Sequence, residues 1–251
     1  MEGRGLKESI LCECTKARLL SQDTAALEFA WKGPPPLGGQ FFLIKPERTS
    51  VFLARPISVA GFRKGLLRFL IAGRGRGSNE LIDMKQGEKA LLIGPLGNSW
   101  PIGELNAKKS PIALIGGGIG IAPLLITASE LKIPFDFYAG FRSRPFGLEK
   151  IKARSLIIAT EDGSEGKKGR ILDFFKPEDY GVVFACGPEP MLKSLAGICK
   201  AAKVPAYLSV ETHMACGVGA CLACKVKTTV GNLNCCTDGP IFKAEELVFD
   251  E

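Results

Sequence analysis

The sequence predicts three successive units: an antiparallel β-barrel, a parallel α/β domain and a small cysteine-rich domain. Three observations support this multi-domain arrangement. Short strand-like runs fill the first hundred residues, strands alternate with helices from about residue 108, and five of the nine cysteines lie beyond Glu211. A chain of 251 residues is long enough for this organisation. We predict that the units span residues 1–107, 108–210 and 211–251.

The predicted barrel rests on four apolar runs with turn signals between them. Glycine, proline or charge clusters bound each run, as in G-P-P-P-L-G-G at residues 33–39. Many short strands with frequent turns are typical of an antiparallel barrel. The predicted barrel strands are residues 26–31, 40–45, 66–72 and 89–95.

The predicted α/β domain rests on a change of pattern near residue 108. From there, apolar runs of strand length alternate with segments of helical periodicity. This alternation predicts a parallel sheet with helices on both faces. The predicted strands are residues 111–116, 135–141, 155–160, 181–187 and 206–211, and the predicted helices are residues 122–132 and 189–203.

Composition and charge exclude several classes of protein. The net charge is +7, but the lysines and arginines are scattered, so we expect no nucleic-acid partner. Residues 110–129 approach the length of a membrane span, yet four glycines and two prolines interrupt them, so we expect no membrane segment. The first twenty residues lack the apolar centre of a signal peptide. We therefore predict a cytoplasmic protein, in which clustered cysteines serve metal or redox chemistry rather than disulfides.

The C-terminal cysteines have the spacing of a metal centre. Cys216, Cys221 and Cys224 form C-x4-C-x2-C, and the adjacent Cys235 and Cys236 follow after ten or eleven further residues. Three close thiolates and one distant thiolate match the plant-type [2Fe–2S] spacing. Structural zinc more often has two similar C-x2-C pairs, and inert buried thiols are the remaining alternative. The spacing alone does not decide which of the two adjacent cysteines is the fourth ligand.

A glycine-rich turn marks a dinucleotide site. Gly117, Gly118 and Gly120 follow a predicted strand and open a predicted helix, where backbone N–H groups bind a pyrophosphate. Pro123 stands where the Rossmann fingerprint has its last glycine, and this variant resembles the ferredoxin-NADP reductase superfamily. Two further loops leave the same sheet edge. They contain Thr160 with Asp162, and Cys186-Gly187-Pro188, a motif that approaches the nicotinamide in that superfamily.

Two motifs in the predicted barrel resemble the flavin site of the same superfamily. Arg55-Pro56-Ile57-Ser58 resembles its R-P-x-S motif, which we place at the end of a barrel strand, although a surface Arg-Pro turn is the plain alternative. The resemblance implies that Arg55 binds the pyrophosphate of FAD and that Ser58 faces flavin N5. It further implies a phosphate contact at Gly77 and Ser78, with Ser78 as a helix N-cap. Backbone contacts to the flavin are expected from Leu70, Ile71 and Ala72.

The charges beside the predicted nucleotide site bear on its selectivity. Glu161 and Asp162 would repel a 2′-phosphate, which favours NAD over NADP. Arg142 and Arg144 argue the other way, because arginine pairs with phosphate. We predict NAD as the cofactor.

The three parts together resemble one family: the iron–sulfur flavoprotein subunits of two-subunit, NAD-dependent dihydroorotate dehydrogenases. M-A-C-G-V-G-A-C-L-A-C and C-T-D-G-P-I-F match this family's cysteine motifs. The resemblance implies Cys216, Cys221, Cys224 and Cys236 as the ligands of a [2Fe–2S] cluster, with Cys235 as an additional thiol. Three departures are Ala54 and His213, where arginines are common, and Ser78 in place of threonine.

The resemblance also implies a function in electron transfer. A separate FMN-containing subunit would oxidise dihydroorotate in pyrimidine biosynthesis, and electrons would pass through the [2Fe–2S] cluster to FAD and then to NAD+. The family implies a heterotetramer with two copies of each subunit. No acid–base catalytic residue is expected, because the cofactors carry the chemistry. The alternatives are a subunit of an NAD(P)H:ferredoxin or sulfide oxidoreductase, and a zinc-stapled nucleotide-binding module without turnover.

Overall fold

The computed structural model describes residues 9–105 and 111–249. Six strands form a closed antiparallel barrel in the order β1-β2-β5-β4-β3-β6. Their bounds are β1 Ser9–Ser21, β2 Thr24–Ala30, β3 Phe41–Pro46, β4 Arg55–Arg63, β5 Leu66–Ala72 and β6 Lys89–Leu96. A short helix, α1 (Arg76–Ile82), lies between β5 and β6, and another, α2 (Ile102–Leu105), follows β6.

The barrel confirms the predicted fold class and corrects one detail of it. The four predicted strands are present, and the sequence prediction missed β1 and β4. The R-P-x-S motif was placed at the end of a strand, which is wrong, because Arg55 begins β4. The barrel interior contains a cluster of fully buried aromatic rings, in which Phe42 contacts both Trp31 and Phe69 edge to face. These rings fill the barrel and make it a rigid support for the residues at its rim.

A seven-stranded sheet forms the second layer, in the order β10-β9-β8-β7-β11-β12-β15. All neighbouring pairs are parallel except β12 with β15. The predicted strands and both predicted helices are present, and every predicted strand end lies within two residues of the observed one. The bounds are β7 Ile112–Gly117, α3 Ala122–Glu130, β8 Phe135–Phe141, β9 Ser155–Thr160, β10 Lys167–Lys168, β11 Val182–Cys186, α4 Glu189–Ala202 and β12 Ala206–Ser209.

The C-terminal segment folds against both larger units. It contains the hairpin β13 (Lys225–Thr228) and β14 (Gly231–Asn234), one helical turn α5 (Cys235–Asp238), and β15 (Ile241–Lys243). Strand β15 pairs with β12 and so joins the α/β sheet, a connection that the sequence did not indicate. Within residues 9–105 and 111–249, no helix combines the length and apolar character that a membrane crossing requires.

An ion pair between a buried carboxylate and a half-exposed arginine stabilises the α/β sheet at the edge opposite the glycine-rich turn. The carboxylate of Asp136 accepts hydrogen bonds from Arg154 at 2.9 and 2.6 Å and from the Tyr180 hydroxyl at 2.8 Å. Hydrogen bonds from Arg154, together with Tyr180, lower the pKa of Asp136 although burial opposes ionisation. This carboxylate is 4% exposed, so its charge is stable only with these partners.

Replacing Asp136 by asparagine is expected to lower the free energy of unfolding by about 2 kcal/mol at pH 7, because Arg154 and Tyr180 lose a charged acceptor. The depressed folded pKa means that this stabilisation is present above the unfolded pKa, about 3.9, and is lost as the pH falls through the folded value. Urea unfolding at neutral and acidic pH measures both effects. Asp179→Asn, at an exposed carboxylate, is the control and should change stability by less than about 0.5 kcal/mol. Equal effects of the two changes would contradict the assignment.

Candidate flavin, nucleotide and cluster site

One large cleft separates the barrel from the carboxyl edge of the α/β sheet. Its volume is about 2370 Å³. Most of the residues predicted from the sequence to bind FAD or NAD line this cleft: Arg55, Pro56, Ile57, Ser58, Leu70, Ile71, Ala72, Ser78, Gly117, Gly118, Gly120, Asp162, Gly187 and Pro188. Three lie behind its surface: Gly77, Thr160 and Cys186. Residues far apart in sequence therefore converge on one space.

The barrel side of the cleft is formed by strands β4 and β5. Leu70 and Ile71 are buried, so they present mainly backbone to the cleft, as the flavin resemblance implies. The Arg55 guanidinium lies against Gly77, where an added Cβ would stand 2.9 Å from Arg55 Cζ. Within the described residues, Arg55 has no ion-pair partner. A side chain at position 77 would therefore displace the Arg55 guanidinium from its present place in the cleft wall, where it can bind an anion.

Ser78 has a different position from the one that the sequence predicted. Helix α1 begins at Arg76, so Ser78 is its third residue and not its N-cap. Its hydroxyl accepts hydrogen bonds from the backbone N–H groups of Arg74 at 2.8 Å and Gly75 at 3.1 Å. The prediction failed because the N-cap is Gly75, so the helix begins three residues earlier than a Ser78 cap would place it. Ser78 thus fixes the turn that precedes α1, and it still lines the cleft.

The glycine-rich turn packs closely against the C-G-P turn on the sheet side. A single 3-10 turn, from Gly118 to Ile121, connects β7 to α3. A Cβ at Gly120 would overlap the backbone of Cys186, standing 2.6 Å from its carbonyl carbon. Gly117 and Gly187 are also in close contact, because a Cβ at position 187 would lie 3.0 Å from Gly117 N. The two turns therefore form one continuous surface that only glycine permits.

Gly120→Ala is expected to weaken NADH binding at least tenfold, because the added methyl group must displace the C-G-P backbone rather than a flexible side chain. FAD and iron content should stay close to wild type, since neither Arg55 nor the cysteine loop is in this contact. Titration of the loaded chain with NADH measures the change. Gly197→Ala is a matched control at an exposed position of helix α4, where an added Cβ meets nothing within 4 Å. It should retain NADH affinity and raise stability by about 0.5–1 kcal/mol.

Charged residues lie at the far end of the carboxyl edge of the α/β sheet. Arg142, Arg144, Glu161 and Asp162 all line the cleft. The Asp162 carboxylate accepts a hydrogen bond from the Ser164 backbone N–H at 2.9 Å, which lowers the pKa of Asp162. Thr160 is directed away from the cleft, and its hydroxyl donates to the Glu165 carbonyl at 2.8 Å. Both signs of charge therefore face the nucleotide side, and the preference for NAD stays a prediction.

The cysteines of the C-terminal loop are arranged as two pairs. The Cys216 thiol contacts Cys221, and the Cys236 thiol contacts Cys224. Among the described residues, no three His, Cys, Asp or Glu side chains are placed to hold a single metal ion. A [2Fe–2S] cluster needs two thiolates on each of two irons, whereas structural zinc needs four ligands around one ion. Cys236 also interacts with Cys216, so the four thiols lie together, and the plant-type spacing is what favours the iron–sulfur cluster over zinc.

The backbone of the loop directs N–H groups at the thiols. Cys216 Sγ accepts from Cys221 N at 3.3 Å and from Val218 N at 3.5 Å, while Cys236 Sγ accepts from Gly219 N at 3.2 Å. Although burial opposes ionisation, these donors lower the pKa of Cys216 to about 7. Gly217 and Gly219 have φ of +70° and +79°, which allow the tight turn that this requires. The loop is thus built to hold thiolate sulfur.

The two adjacent cysteines face different surroundings. Both are in the helical turn α5, where consecutive side chains point about 100° apart. Cys236 Sγ faces the cysteine loop, whereas Cys235 Sγ lies 3.5 Å from the Val210 carbonyl on the opposite side. Burial raises the pKa of both thiols to about 12, so the direction of each side chain distinguishes them and the pKa does not. This geometry favours Cys236 as the fourth ligand.

The floor of the cleft was not predicted from the sequence. Residues 209–214 line it and then continue into the cysteine loop. Ser209 pairs with Cys186, so this segment leaves the sheet beside the C-G-P turn. Glu211 is exposed and opens onto the cleft; desolvation by the surrounding walls raises its pKa, and Arg74 opposes this rise. Only the position of this segment in the sequence could have indicated its role, because residues just beyond the last parallel strand lie at the sheet edge where ligands bind.

Comparison with known proteins decides the family. Residues 211–248 match the family described as the iron–sulfur cluster binding domain of dihydroorotate dehydrogenase B. The electron transfer subunit of dihydroorotate dehydrogenase B (NAD(+)) from Clostridium perfringens is 42% identical, covering 84% of this chain and 87% of the relative. The corresponding subunit from Caldanaerobacter subterraneus subsp. tengcongensis is 40% identical, covering 93% and 98%. This chain belongs to the family of dihydroorotate dehydrogenase B electron transfer subunits.

Solved structures agree with the fold of this family. The NADH-dependent reduced ferredoxin-NADP oxidoreductase is similar over 99% of this chain and 91% of its own, with a TM-score of 0.82 and 26% identity. Phthalate dioxygenase reductase covers 88% of this chain and 87% of its own, with a TM-score of 0.62 and 19% identity, which shows the fold alone. The higher identity to dihydroorotate dehydrogenase B subunits favours that family over the ferredoxin and sulfide oxidoreductases.

Proposed function

We propose that this chain delivers electrons from a dihydroorotate-oxidising, FMN-containing partner subunit to NAD+, with FAD and a [2Fe–2S] cluster as resident cofactors. When bound, the cluster would carry one electron at a time and FAD would store two. Electrons that arrive singly could therefore reduce NAD+, which accepts two. Family membership supports the electron-transfer role. The continuity of the cleft with the cysteine loop, through residues 209–214, is the structural observation that carries the proposal.

Different residues of this chain would bind the different cofactors along this cleft. Arg55, free beside Gly77, would bind the pyrophosphate of FAD, and Ser58 with residues 70–72 would line the flavin ring. Gly117, Gly118 and Gly120 would admit the nucleotide beside the C-G-P turn. Cys216, Cys221, Cys224 and Cys236 would hold the cluster. The role of this protein is to position the cofactors and exclude water between them.

The cellular setting is part of the same proposal. We place the protein in the cytoplasm, in the pathway of pyrimidine synthesis, as half of a heterotetramer with two copies of each subunit. We further propose the domain bounds 1–107, 108–210 and 211–251.

Reconstitution with the partner subunit tests this function. The loaded chain should form a stable complex with the FMN-containing subunit, and the complex should reduce NAD+ only when dihydroorotate is supplied. Either subunit alone serves as the control and should show no dihydroorotate-dependent NAD+ reduction. A chain that carries both cofactors but reduces ferredoxin with NADH, and ignores the partner, would contradict the proposal in favour of the ferredoxin oxidoreductase alternative.

A further inference from the structure

Cys235 connects the cluster ligands to the floor of the cleft, although it is not a ligand itself. Its backbone N–H donates to the carbonyl of Cys224 at 2.8 Å, and its next neighbour is Cys236. These two ligands form one of the two thiol pairs. Cys235 is fully buried, with 0% exposure, and Cys224 and Cys236 are 2% exposed. Movement of Cys235 would therefore change both the position and the solvent access of this pair.

The side chain of Cys235 reaches the opposite way, to the segment that lines the cleft. Its thiol donates to the Val210 carbonyl at 3.5 Å, and the Val210 N–H donates to the Pro240 carbonyl at 2.9 Å. Val210 is consequently held on both sides. The next residues of this segment line the same cleft as Ser58 and the C-G-P turn. One buried side chain thus spans the space between the flavin cleft and the cysteine loop.

An unsatisfied polar atom lies at this junction. The Thr212 hydroxyl is buried and has no hydrogen-bond partner of good geometry among the described residues, although it lies beside the Cys235 thiol. A buried hydroxyl without a partner is destabilising, so a polar neighbour at position 235 is favoured over an apolar one. The thiol donates to the Val210 carbonyl and places a polar group beside the Thr212 hydroxyl, which an alkyl side chain of the same size would not do.

We propose that Cys235 is a positioning residue that holds the Cys224–Cys236 pair against the cleft floor and thereby sets the reduction potential of the cluster relative to FAD. This inference rests on the proposed function, since it assumes that both cofactors bind. Hydrogen bonding and solvent access around a cluster set its potential. Loosening the pair admits water, and water stabilises the more negative, reduced cluster. Loss of the Cys235 thiol should therefore shift electrons from FAD towards the cluster.

The test compares Cys235→Ala with Cys235→Ser in the FAD- and cluster-loaded chain. Both variants should retain iron and the cluster absorbance. In an EPR-monitored redox titration, Cys235→Ala should raise the equilibrium ratio of reduced cluster to reduced FAD about tenfold, which is 59 mV for a one-electron couple. Cys235→Ser keeps a polar hydrogen at this position and should return the ratio to within about threefold of wild type.

Cys199→Ala provides a matched control. Cys199 is a buried cysteine on helix α4, packed in the sheet core and not among the residues that line the cleft, and its loss should leave the ratio unchanged. The inference is overturned if Cys235→Ala titrates as wild type, if the serine variant shifts as far as the alanine variant, or if Cys199→Ala shifts equally. Failure of the proposed function has different signatures: wild type would lack FAD or cluster signals if the cofactor assignment is wrong, and would fail the reconstitution with the FMN-containing subunit if the partner assignment is wrong.

Discussion

Cys236→Ser abolishes or severely disturbs the [2Fe–2S] cluster, whereas Cys235→Ser leaves it largely intact: this is the first expected result. Cys236 Sγ faces the loop and contacts Cys224, so its loss leaves one iron with a single thiolate. Cys235 Sγ faces the Val210 carbonyl instead. The two changes are adjacent in sequence and identical in chemistry, so each is the control for the other.

Iron and sulfide content and the visible absorption of the anaerobically purified variants measure this difference. We expect Cys236→Ser to lose most of its iron and Cys235→Ser to retain wild-type iron. Both variants should keep FAD, since Arg55 and Ser58 lie on the barrel side of the cleft. The reverse outcome, with iron lost only from Cys235→Ser, would show that α5 is rotated relative to the structure described here.

The second large effect is expected at Arg55. Replacing it by alanine removes from the cleft wall a guanidinium that has no ion-pair partner in residues 9–105 and 111–249, and with it the charge-assisted hydrogen bonds to a pyrophosphate. Such bonds contribute about 1.5–3 kcal/mol, so we expect the Kd for FAD to rise roughly 10- to 100-fold. Arg55→Lys should be intermediate, because an ammonium group carries the charge without the planar fork.

Fluorescence titration of the flavin-free chain with FAD measures this affinity. Arg63→Ala is the matched control, since Arg63 is an exposed residue at the opposite end of the same strand, β4, and should leave the Kd within about twofold of wild type. Iron content should be unchanged in both variants. Unaltered FAD affinity in Arg55→Ala would show that the R-P-x-S motif is only a surface turn.

The sequence predicted most of the fold because its local patterns are strong. Apolar runs bounded by glycine and proline located four barrel strands and the parallel sheet. Strand β4 was missed because its residues, R-P-I-S-V-A-G-F-R, contain proline, glycine and two arginines, which suggest a turn. Strand β15 was missed because only three residues form it, and its partner β12 lies more than 30 residues earlier. Short strands of this kind depend on tertiary contacts and not on local preference.

The sequence predicted the parts of the candidate site that are set by the spacing of residues in a motif. It did not predict the parts that form only when the fold brings distant residues together. Cysteine spacing identified the cluster loop, but it left Cys235 and Cys236 equivalent, and only the direction of each side chain in α5 distinguishes them. The cleft floor at residues 209–214 has no motif of its own. Its position follows from the pairing of Ser209 with Cys186, a contact between residues 23 positions apart.

Anaerobic reduction of the purified chain by NADH, followed by absorption and EPR spectroscopy, tests the central claim most directly. Before NADH, the spectrum should show oxidised flavin and an oxidised [2Fe–2S] cluster without an EPR signal. After NADH, the flavin absorbance should bleach and the signal of a reduced [2Fe–2S] cluster should appear, because one cleft joins the nucleotide turn to the flavin wall, and its floor, residues 209–214, continues along the chain into the cysteine loop. A colourless protein with stoichiometric zinc, or a flavin that bleaches while the cluster stays oxidised, would contradict the account.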